Sequence, residues 1–287
     1  MRVGFTTMNT PADPGPDELA RALEGRGYDS LWIGEHSHIP ASRRTPYPAG
    51  GAMPEPYKWM MDPFLSLTAA ALATEELLVA TGVALPLERD LFTLAKAVAT
   101  LDHLSGGRLI YGVGVGWNEE ELADHRPELT WSQRYRALAE AVAALRALWT
   151  EDEASFDGEW FRFDRAWSFP KPVQRPHPPV YCGSSGPIRS AQAAAWGDGW
   201  LPVDVGLGNV ERRVERFRQA VADHGRPSVP ITLVVFGDPD VDDLRRYRDL
   251  GLERVVLGAN RSGWDDPDTT YPFIDRYATT IEELAQT

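Results

Sequence analysis

The sequence predicts an α/β protein that folds as a closed (β/α)8 barrel, the TIM-barrel architecture. Short apolar runs alternate with amphipathic stretches along the chain, and eight such strand–helix units fill its 287 residues. Eight units in about 250 residues or slightly more is the size of this barrel. A doubly wound open sheet is the rival, but it usually has a glycine-rich turn after its first strand. Here the segment 6–10 that follows the first strand contains no glycine.

Each strand is predicted from a short, continuous apolar run, because a parallel strand covered by helices is buried on both faces. The predicted strands are 3–5, 31–33, 78–85, 109–115, 180–182, 200–203, 231–236 and 254–257. Each helix is predicted from apolar residues spaced three and four apart, which form one buried face. The predicted helices are 17–26, 64–73, 91–104, 133–149, 187–195, 209–221, 241–250 and roughly the last ten residues.

We predict one domain over residues 1–287, because no linker, internal repeat or low-complexity tract interrupts the alternation. Two long segments, at about 37–62 and 151–179, contain the proline-rich stretches of the chain. They are predicted to be loops over the mouth or rim of the barrel, where long functional loops are usually found.

Composition and charge exclude several classes of function. The net charge is −13, and no basic face suited to nucleic-acid phosphates is visible. No stretch approaches the roughly 20 apolar residues that span a bilayer, and no signal peptide is evident. The single cysteine, Cys182, rules out an intramolecular disulfide and a cysteine-based zinc site. We expect a cytoplasmic protein that binds neither nucleic acid nor membranes.

The second predicted strand ends in the polar residues Glu35 and His36, and a barrel binds its ligands where strands end. A histidine beside a carboxylate can transfer protons near neutral pH. We therefore predict that His36 is catalytic, with Glu35 next to it; the alternative is that both are ordinary polar loop residues. No further cluster of ligands accompanies them at metal-binding spacing, so no metal is expected.

The fourth predicted strand contains glycine at every second position: Gly112, Gly114 and Gly116. Side chains alternate along a strand, so one face is bare backbone. Such a face indicates the close approach of a ligand or of another part of the chain. A flat ring system could lie against it, or the glycines could mark a bend of the barrel, and the pattern leaves both open.

The fifth predicted strand ends in Gly183, Ser184, Ser185 and Gly186, and Pro187 begins the next helix. Glycines allow backbone N–H groups to turn outward, the serines add hydroxyl donors, and a helix N-terminus favours an anion. This turn is a candidate phosphate site, to which an arginine in the first turn of the helix could contribute. The alternative is an ordinary strand-to-helix turn.

Together these segments resemble the bacterial luciferase-like monooxygenase superfamily, and most closely its branch that uses coenzyme F420, a deazaflavin. The matching segments are GYDSLWIGEH (27–36), LAK (94–96), LDHLSGGRL (101–109), GVGVGWNEEE (112–121), LRALW (145–149), FPKPVQ (169–174) and GDGW (197–200). The resemblance covers about residues 1–205, and the last third of the chain matches only in its strand–helix rhythm.

The resemblance implies a cofactor ring at the barrel mouth, with His36 beside its reactive edge and Glu35 next to the histidine. It implies a bulge with a non-prolyl cis peptide between Gly82 and Leu85, which we assign to Val83–Ala84. The residues that it assigns to cofactor binding are Val83, Ala84, Gly114, Gly116, Asn118, Gly183, Ser184, Ser185, Gly186 and Pro187, with the phosphate at 183–187. A homodimer is common in this superfamily and is expected here.

One residue departs from the pattern of a well-defined group within the superfamily. Deazaflavin-dependent glucose-6-phosphate dehydrogenases carry a glutamate where this chain has Trp117. The difference argues against this sugar phosphate as the substrate and indicates a more apolar pocket.

The sequence thus predicts an F420-dependent oxidoreductase that moves a hydride between the deazaflavin and a small organic substrate, with His36 handling the proton. The first alternative is a monooxygenase that uses reduced flavin mononucleotide (FMN) and oxygen. A non-catalytic partner subunit and a metal-dependent hydrolase on the same barrel are further alternatives, which the intact site segments and the lack of a ligand cluster disfavour.

Overall fold

Eight parallel strands form the barrel in a computed structural model of the chain, which describes residues 1–205, 207–236, 238–258 and 267–285. These strands are β1 (Arg2–Thr7), β2 (Ser30–Ile33), β3 (Leu78–Thr81), β4 (Leu109–Val113), β7 (Val180–Gly183), β8 (Gly199–Leu201), β9 (Thr232–Phe236) and β10 (Arg254–Gly258). They pair in the order β8-β7-β4-β3-β2-β1-β10-β9. Parallel bridges from Trp200 to Ile231 and from Val203 to Val234 join β8 to β9. The predicted (β/α)8 architecture is confirmed.

The helices cover the outside of the barrel. They are α1 (Pro16–Glu24), α2 (Pro63–Ala73), α3 (Leu91–Leu104), α4 (Glu119–His125), α5 (Arg134–Thr150), α6 (Pro187–Trp196), α7 (Val210–Asp223), α8 (Val241–Asp249) and α9 (Pro267–Ala285). Two short 3-10 helices lie at Glu55–Lys58 and Pro86–Glu88. Within the described ranges, no helix is both long enough and apolar enough to cross a bilayer.

Several helices begin at side chains that cap free backbone N–H groups. Asp62 accepts hydrogen bonds from the first turn of α2, and Asp90 does the same for α3. Asn209 caps α7 as predicted, through the N–H group of Arg212 at 2.7 Å. Short polar residues at these positions satisfy donors that have no partner within the helix, so the sequence locates the helix starts.

Two elements were not predicted, and both lie in segments without a long apolar period. The region 151–179 contains an antiparallel hairpin of β5 (Ala154–Asp157) and β6 (Arg162–Ala166). The side chains of its strands are mostly exposed, so the sequence contains no buried apolar run from which these strands could be predicted. Helix α4 has only seven residues and an acidic first turn. The final helix is also longer than the predicted ten residues, with nineteen.

Apolar residues fill the barrel interior and the layer between barrel and helices. The interior cluster consists of Trp32, Ala80, Ile110, Tyr181, Leu201, Val234 and Val256. At the amino-terminal end of the strands, Arg254 is buried and binds the Asp29 carboxylate through Nε at 2.8 Å and Nη2 at 2.7 Å. This ion pair and the apolar interior fill the amino-terminal end of the barrel.

The carboxyl end of β3 differs from the prediction by a few residues. The strand ends at Thr81 rather than Leu85, and the cis peptide joins Gly82 to Val83 rather than Val83 to Ala84. The chain rejoins the sheet at Ala84, whose N–H group donates to the Gly112 carbonyl at 2.8 Å. The bulge thus lies in the predicted segment, one peptide earlier than assigned.

The glycines of β4 make room for this bulge. A Cβ atom on Gly112 would overlap the Thr81 carbonyl oxygen, and one on Gly114 would lie 2.5 Å from a methyl group of Val83. On the other side, a Cβ atom on Gly183 would lie 2.7 Å from the second Val83 methyl group. Val83 is therefore packed between two glycines. At Gly112 and Gly114 the bare backbone is explained by the close approach of another part of the chain.

We predict that Gly114→Ala destabilises the protein by roughly 1–3 kcal/mol, because Val83 must move to avoid overpacking. Val83→Ala removes the obstructing methyl group, so the variant with both substitutions should lose less stability than the sum of the losses in the two single variants. Urea denaturation of wild type, the two single variants and the double variant should give a coupling free energy of about 0.5–3 kcal/mol. Strict additivity would contradict the packing described here.

Candidate active site

A cavity of about 430 Å³ opens at the carboxyl ends of the strands, as the barrel prediction requires. It is lined by the carboxyl ends of β1, β7, β8 and β9 and by the segments that follow β1, β2, β3, β4, β7 and β8. The predicted site residues in its wall are Glu35, His36, Val83, Gly114, Gly116, Gly183, Ser184, Ser185 and Gly186. The structure therefore brings the predicted catalytic histidine and the predicted phosphate turn into one cavity.

Two residues assigned to cofactor binding, Ala84 and Asn118, are not among the described residues that line this cavity. Ala84 is fully buried in the outer core, and its backbone groups are used by the neighbouring strand. Asn118 is buried at the start of α4, where its side-chain oxygen accepts from the Glu121 N–H group at 3.4 Å. It is a helix cap, which the sequence analysis did not recognise because it did not predict α4. Pro187 is the first residue of α6, and its side chain lies outside the described part of the structure.

His36 is held between a carboxylate and an indole. Its Nδ1 atom lies 2.6 Å from Glu121 Oε2, and the Trp117 Nε1–H group donates to its Nε2 atom at 3.0 Å. An indole N–H can only donate, so Nε2 accepts and the ring proton lies on Nδ1, which donates to Glu121. The same carboxylate accepts from the Ser37 N–H group at 3.1 Å. This arrangement fixes the tautomer and orientation of the imidazole.

Glu121 takes the place that the sequence analysis gave to Glu35. The Glu35 carboxylate instead accepts from the Leu85 N–H group at 2.7 Å and forms an ion pair with Arg89. Arg89 also binds Asp62 at 2.6 Å. Burial raises the pKa of Glu35, and Arg89 opposes that shift. Glu35 thus supports the segment after the β3 bulge, and Glu121 is the carboxylate hydrogen-bonded to the catalytic candidate.

The sequence contains a pattern that predicts a helix start next to Glu121. Three consecutive glutamates follow Asn118 immediately after a strand end, which is the pattern of a capped helix with an acidic first turn. Such a helix at the barrel mouth presents carboxylates to the site. Its partner histidine is 85 residues away in the chain, and no local pattern links the two positions.

A further buried carboxyl group, Glu88, lies near this pair. Among the described residues no N–H or hydroxyl group donates to its oxygen atoms, and the carboxyl group lies within hydrogen-bonding reach of the Glu121 carboxylate. Burial, and then the nearby carboxylates of Glu121 and Glu35, raise the pKa of Glu88 to about 9. Glu88 is therefore neutral at pH 7, which limits the repulsion among the three carboxyl groups.

Three aromatic side chains surround His36: Tyr47, Tyr57 and Trp117, which we call the aromatic cluster. The His36 ring lies 5.4 Å from Tyr57 and 5.6 Å from Trp117, both edge to face. Tyr47 lies 5.5 Å from Tyr57 and 5.8 Å from Trp117. All three line the cavity. The segment 37–62, predicted as a loop over the mouth, thus supplies two of the three aromatic side chains in the cavity wall.

Glu120 attaches that loop to α4. Its carboxylate accepts from the Thr45 hydroxyl at 2.7 Å and from the Arg44 N–H group at 2.9 Å. These hydrogen bonds, that of the Thr45 hydroxyl foremost, lower the pKa of Glu120 to about 2. The first turn of α4 therefore holds the loop 37–62, which we call the aromatic loop, through Glu120, and it holds the His36 imidazole through Glu121.

The serine–glycine turn, between β7 and α6, also lies in the cavity wall. The Ser184 hydroxyl is buried and has no hydrogen-bond partner among the described residues, whereas its carbonyl accepts from the Trp200 indole at 2.8 Å. Arg189, in the first turn of α6, lies over the Tyr135 ring at 4.6 Å, and both residues line the cavity. A free hydroxyl donor, a guanidinium and a helix N-terminus suit a phosphate.

Among the residues that the structure describes, no group of three or more His, Cys, Asp or Glu side chains is arranged to hold a metal ion. Cys182 is buried within β7, and burial raises the pKa of its thiol to about 12. Its thiol is therefore not a nucleophile at neutral pH.

The profile of the luciferase-like monooxygenase family matches residues 14–274. The chain belongs to this family. An uncharacterized protein of Mycobacterium tuberculosis is 38% identical over 98% of this chain and 99% of its own length. The family resemblance predicted from the sequence motifs is confirmed.

Two further relatives of this luciferase-like chain carry functional names. The F420-dependent hydroxymycolic acid dehydrogenase of M. tuberculosis is 34% identical over 63% of this chain and 47% of its own length. The FMNH2-dependent dimethylsulfone monooxygenase of Pseudomonas putida is 32% identical over 56% of this chain and 45% of its own length. This chain therefore matches about half of each of these enzymes.

The fold of the family is shared over the whole chain with a solved structure. An F420-dependent secondary alcohol dehydrogenase in complex with an F420–acetone adduct superimposes with a TM-score of 0.77, covering 99% of this chain and 98% of that one, at 19% identity. At this identity the likeness demonstrates the common barrel.

We predict that Glu88→Gln stabilises the protein at alkaline pH. The folded-state pKa of about 9 lies above the ordinary value of 4.5, so the folded protein holds this proton more tightly than the unfolded chain. The contribution of this proton to the free energy of unfolding is complete below about pH 4.5 and is lost as the pH rises to 9. Glutamine keeps the neutral shape, so the variant should gain at least about 1 kcal/mol over wild type between pH 5 and 9.

Urea denaturation across this pH range measures the gain, and Glu75→Gln, at an exposed position, is the matched control. Parallel pH profiles for Glu88→Gln and wild type would show that Glu88 is ionised in the folded protein.

Proposed function

We propose that the protein is an enzyme, a coenzyme F420-dependent oxidoreductase that transfers a hydride between the deazaflavin and a small organic substrate. The observation that carries the proposal is the juxtaposition of the His36–Glu121 pair and the serine–glycine turn in one cavity. The functional names of the relatives, which include F420-dependent dehydrogenases and a flavin-dependent monooxygenase, support a flavin or deazaflavin cofactor.

The residues present fit such a cofactor. The Ser184 hydroxyl, which has no partner among the described residues, and the Arg189 guanidinium would hold its phosphate at the N-terminal end of α6. Val83, fixed between its glycine neighbours, offers an apolar wall for a flat ring. A bound deazaflavin supplies a ring carbon that accepts or donates a hydride in a two-electron step.

His36 would handle the proton that accompanies the hydride. Its Nε2 atom carries the lone pair, so it can take the proton of a substrate hydroxyl that replaces the Trp117 indole as its donor. Glu121 then stabilises the imidazolium through Nδ1. In the reverse direction the imidazolium returns the proton to a carbonyl oxygen. The oxidised alcohol loses one hydride and one proton, so electrons and atoms balance.

The runner-up is a monooxygenase that uses reduced FMN and oxygen. The dimethylsulfone monooxygenase relative favours it, and the same phosphate turn would serve FMN. Fluorescence titration with F420 and with FMN distinguishes the two functions, because it measures the affinity of the protein for each cofactor directly. We expect the purified chain to bind F420, and binding of FMN without F420 would favour the runner-up.

The double variant Ser184→Ala with Gly186→Val should weaken cofactor affinity by roughly tenfold or more, because it removes one phosphate donor and narrows the turn. Ser155→Ala, in the exposed hairpin and outside this cavity, is the matched control and should leave affinity unchanged. Unaltered affinity in the double variant would remove the turn from the cofactor site.

His36→Ala should retain F420 binding and lower turnover by roughly a hundredfold or more, the loss expected when an acid–base group is removed. His38→Ala is the matched control, because His38 is exposed and pairs with Asp124 at 3.0 Å. Turnover is measured through the absorbance of oxidised F420. Unchanged turnover in His36→Ala would show that the imidazole takes no part in proton transfer.

A further inference from the structure

We propose that the substrate is an uncharged alcohol or carbonyl compound whose apolar part lies against the aromatic cluster beside His36. This inference rests on the proposed function and names its substrate class. It is carried by the surroundings of the imidazole, by the placement of charge in the cavity wall and by the attachment of the aromatic loop.

The surroundings of the imidazole are aromatic. Tyr57 and Trp117 pack edge to face against the His36 ring, and Tyr47 completes the cluster. Met60 adds a flexible apolar side chain to the same wall. A substrate hydroxyl at Nε2 therefore places the rest of the molecule against apolar surface, where an unpaired charge would lose its hydration without compensation.

The charges in the cavity wall are already engaged elsewhere. Of the described residues that line the cavity, Glu35 is paired with Arg89, and Arg189 lies over Tyr135 beside the serine–glycine turn. Arg189 is assigned above to the cofactor phosphate at that turn, so among the described wall residues no other cation is available to a substrate anion beside His36. A substrate cation is disfavoured as well, because the Arg43 guanidinium already occupies a face of Trp117 at 5.4 Å.

The aromatic wall is fixed in place before a substrate arrives. Glu120 accepts hydrogen bonds from the Arg44 N–H group and from the hydroxyl and N–H groups of Thr45, two residues before Tyr47 in the chain. Glu120 is thus a positioning residue for the loop. A wall held in this way selects its ligand by shape and polarity with little ordering cost on binding.

The test compares two compounds with the same skeleton in the full chain without coenzyme, in inorganic phosphate that occupies Arg189 and the serine–glycine turn: 1-phenylethanol, which is neutral, and 4-(1-hydroxyethyl)benzoate, which carries a carboxylate. Saturation-transfer NMR titrations give the two affinities. We expect the neutral alcohol to bind at least roughly tenfold more tightly. Tyr57→Ala should weaken that binding by roughly tenfold, and Tyr57→Phe, which keeps the ring, should retain it.

Trp59→Ala is the matched control, because Trp59 belongs to the same loop, is 61% exposed and is not among the cavity-lining residues. It should leave binding unchanged. Equal or tighter binding of the benzoate overturns the inference, as does a Tyr57→Ala protein that folds by circular dichroism yet binds like wild type. Should Tyr57→Ala fail to fold, Glu120→Gln takes its place, and full affinity in that variant overturns the role of the anchored loop.

The outcomes also separate this inference from the proposed reaction. Selective binding of the neutral alcohol in a protein that shows no turnover with F420 would refute the reaction and support the selectivity of the cavity. Turnover of the benzoate in preference to the neutral alcohol would support the reaction and overturn the substrate class.

Discussion

The hydrogen bond between Glu121 and His36 is the interaction on which the candidate site depends. It joins the start of α4, which follows β4, to the segment after β2, so it ties together two units of the barrel that are not adjacent in the chain. Because the carboxylate accepts from Nδ1, the lone pair of the imidazole is directed to the other nitrogen. Glu120, one residue earlier, fixes the aromatic loop from the same helical turn. Imidazole orientation and cavity wall are therefore set by one short helix.

Three carboxyl groups buried close together would be unfavourable if all were charged and unpaired. Each is accommodated in a different way. Glu35 is paired with Arg89, Glu121 receives the His36 N–H group and a backbone N–H group, and Glu88 holds its proton at neutral pH. The charge in this region is thus limited to two compensated carboxylates. Proton gain at His36 adds a positive charge beside Glu121, which the arrangement tolerates.

The barrel could be predicted from the sequence because its signals are local: apolar runs, helical spacing and caps such as Asn209. The position of the site followed from the barrel, since the residues after each strand meet at one mouth. Local patterns could not predict which side chains from distant segments meet in the site. Glu35 is next to His36 in the chain, but alternation along the backbone turns it toward Arg89, and Glu121 arrives from a helix too short for periodicity to reveal. The hairpin β5–β6 was missed because its side chains are mostly exposed.

The glycines of β4 show why a pattern can indicate the right region and the wrong contact. Bare backbone on one face is compatible with a cofactor ring or with a neighbouring strand, and only packing decides between them. Here the space is taken by Val83, which enters because Gly114 and Gly183 lack side chains. Since Val83 lines the cavity, the glycines act on the site indirectly: they allow an apolar side chain from the bulge after β3 to form the wall that a flat ring would contact.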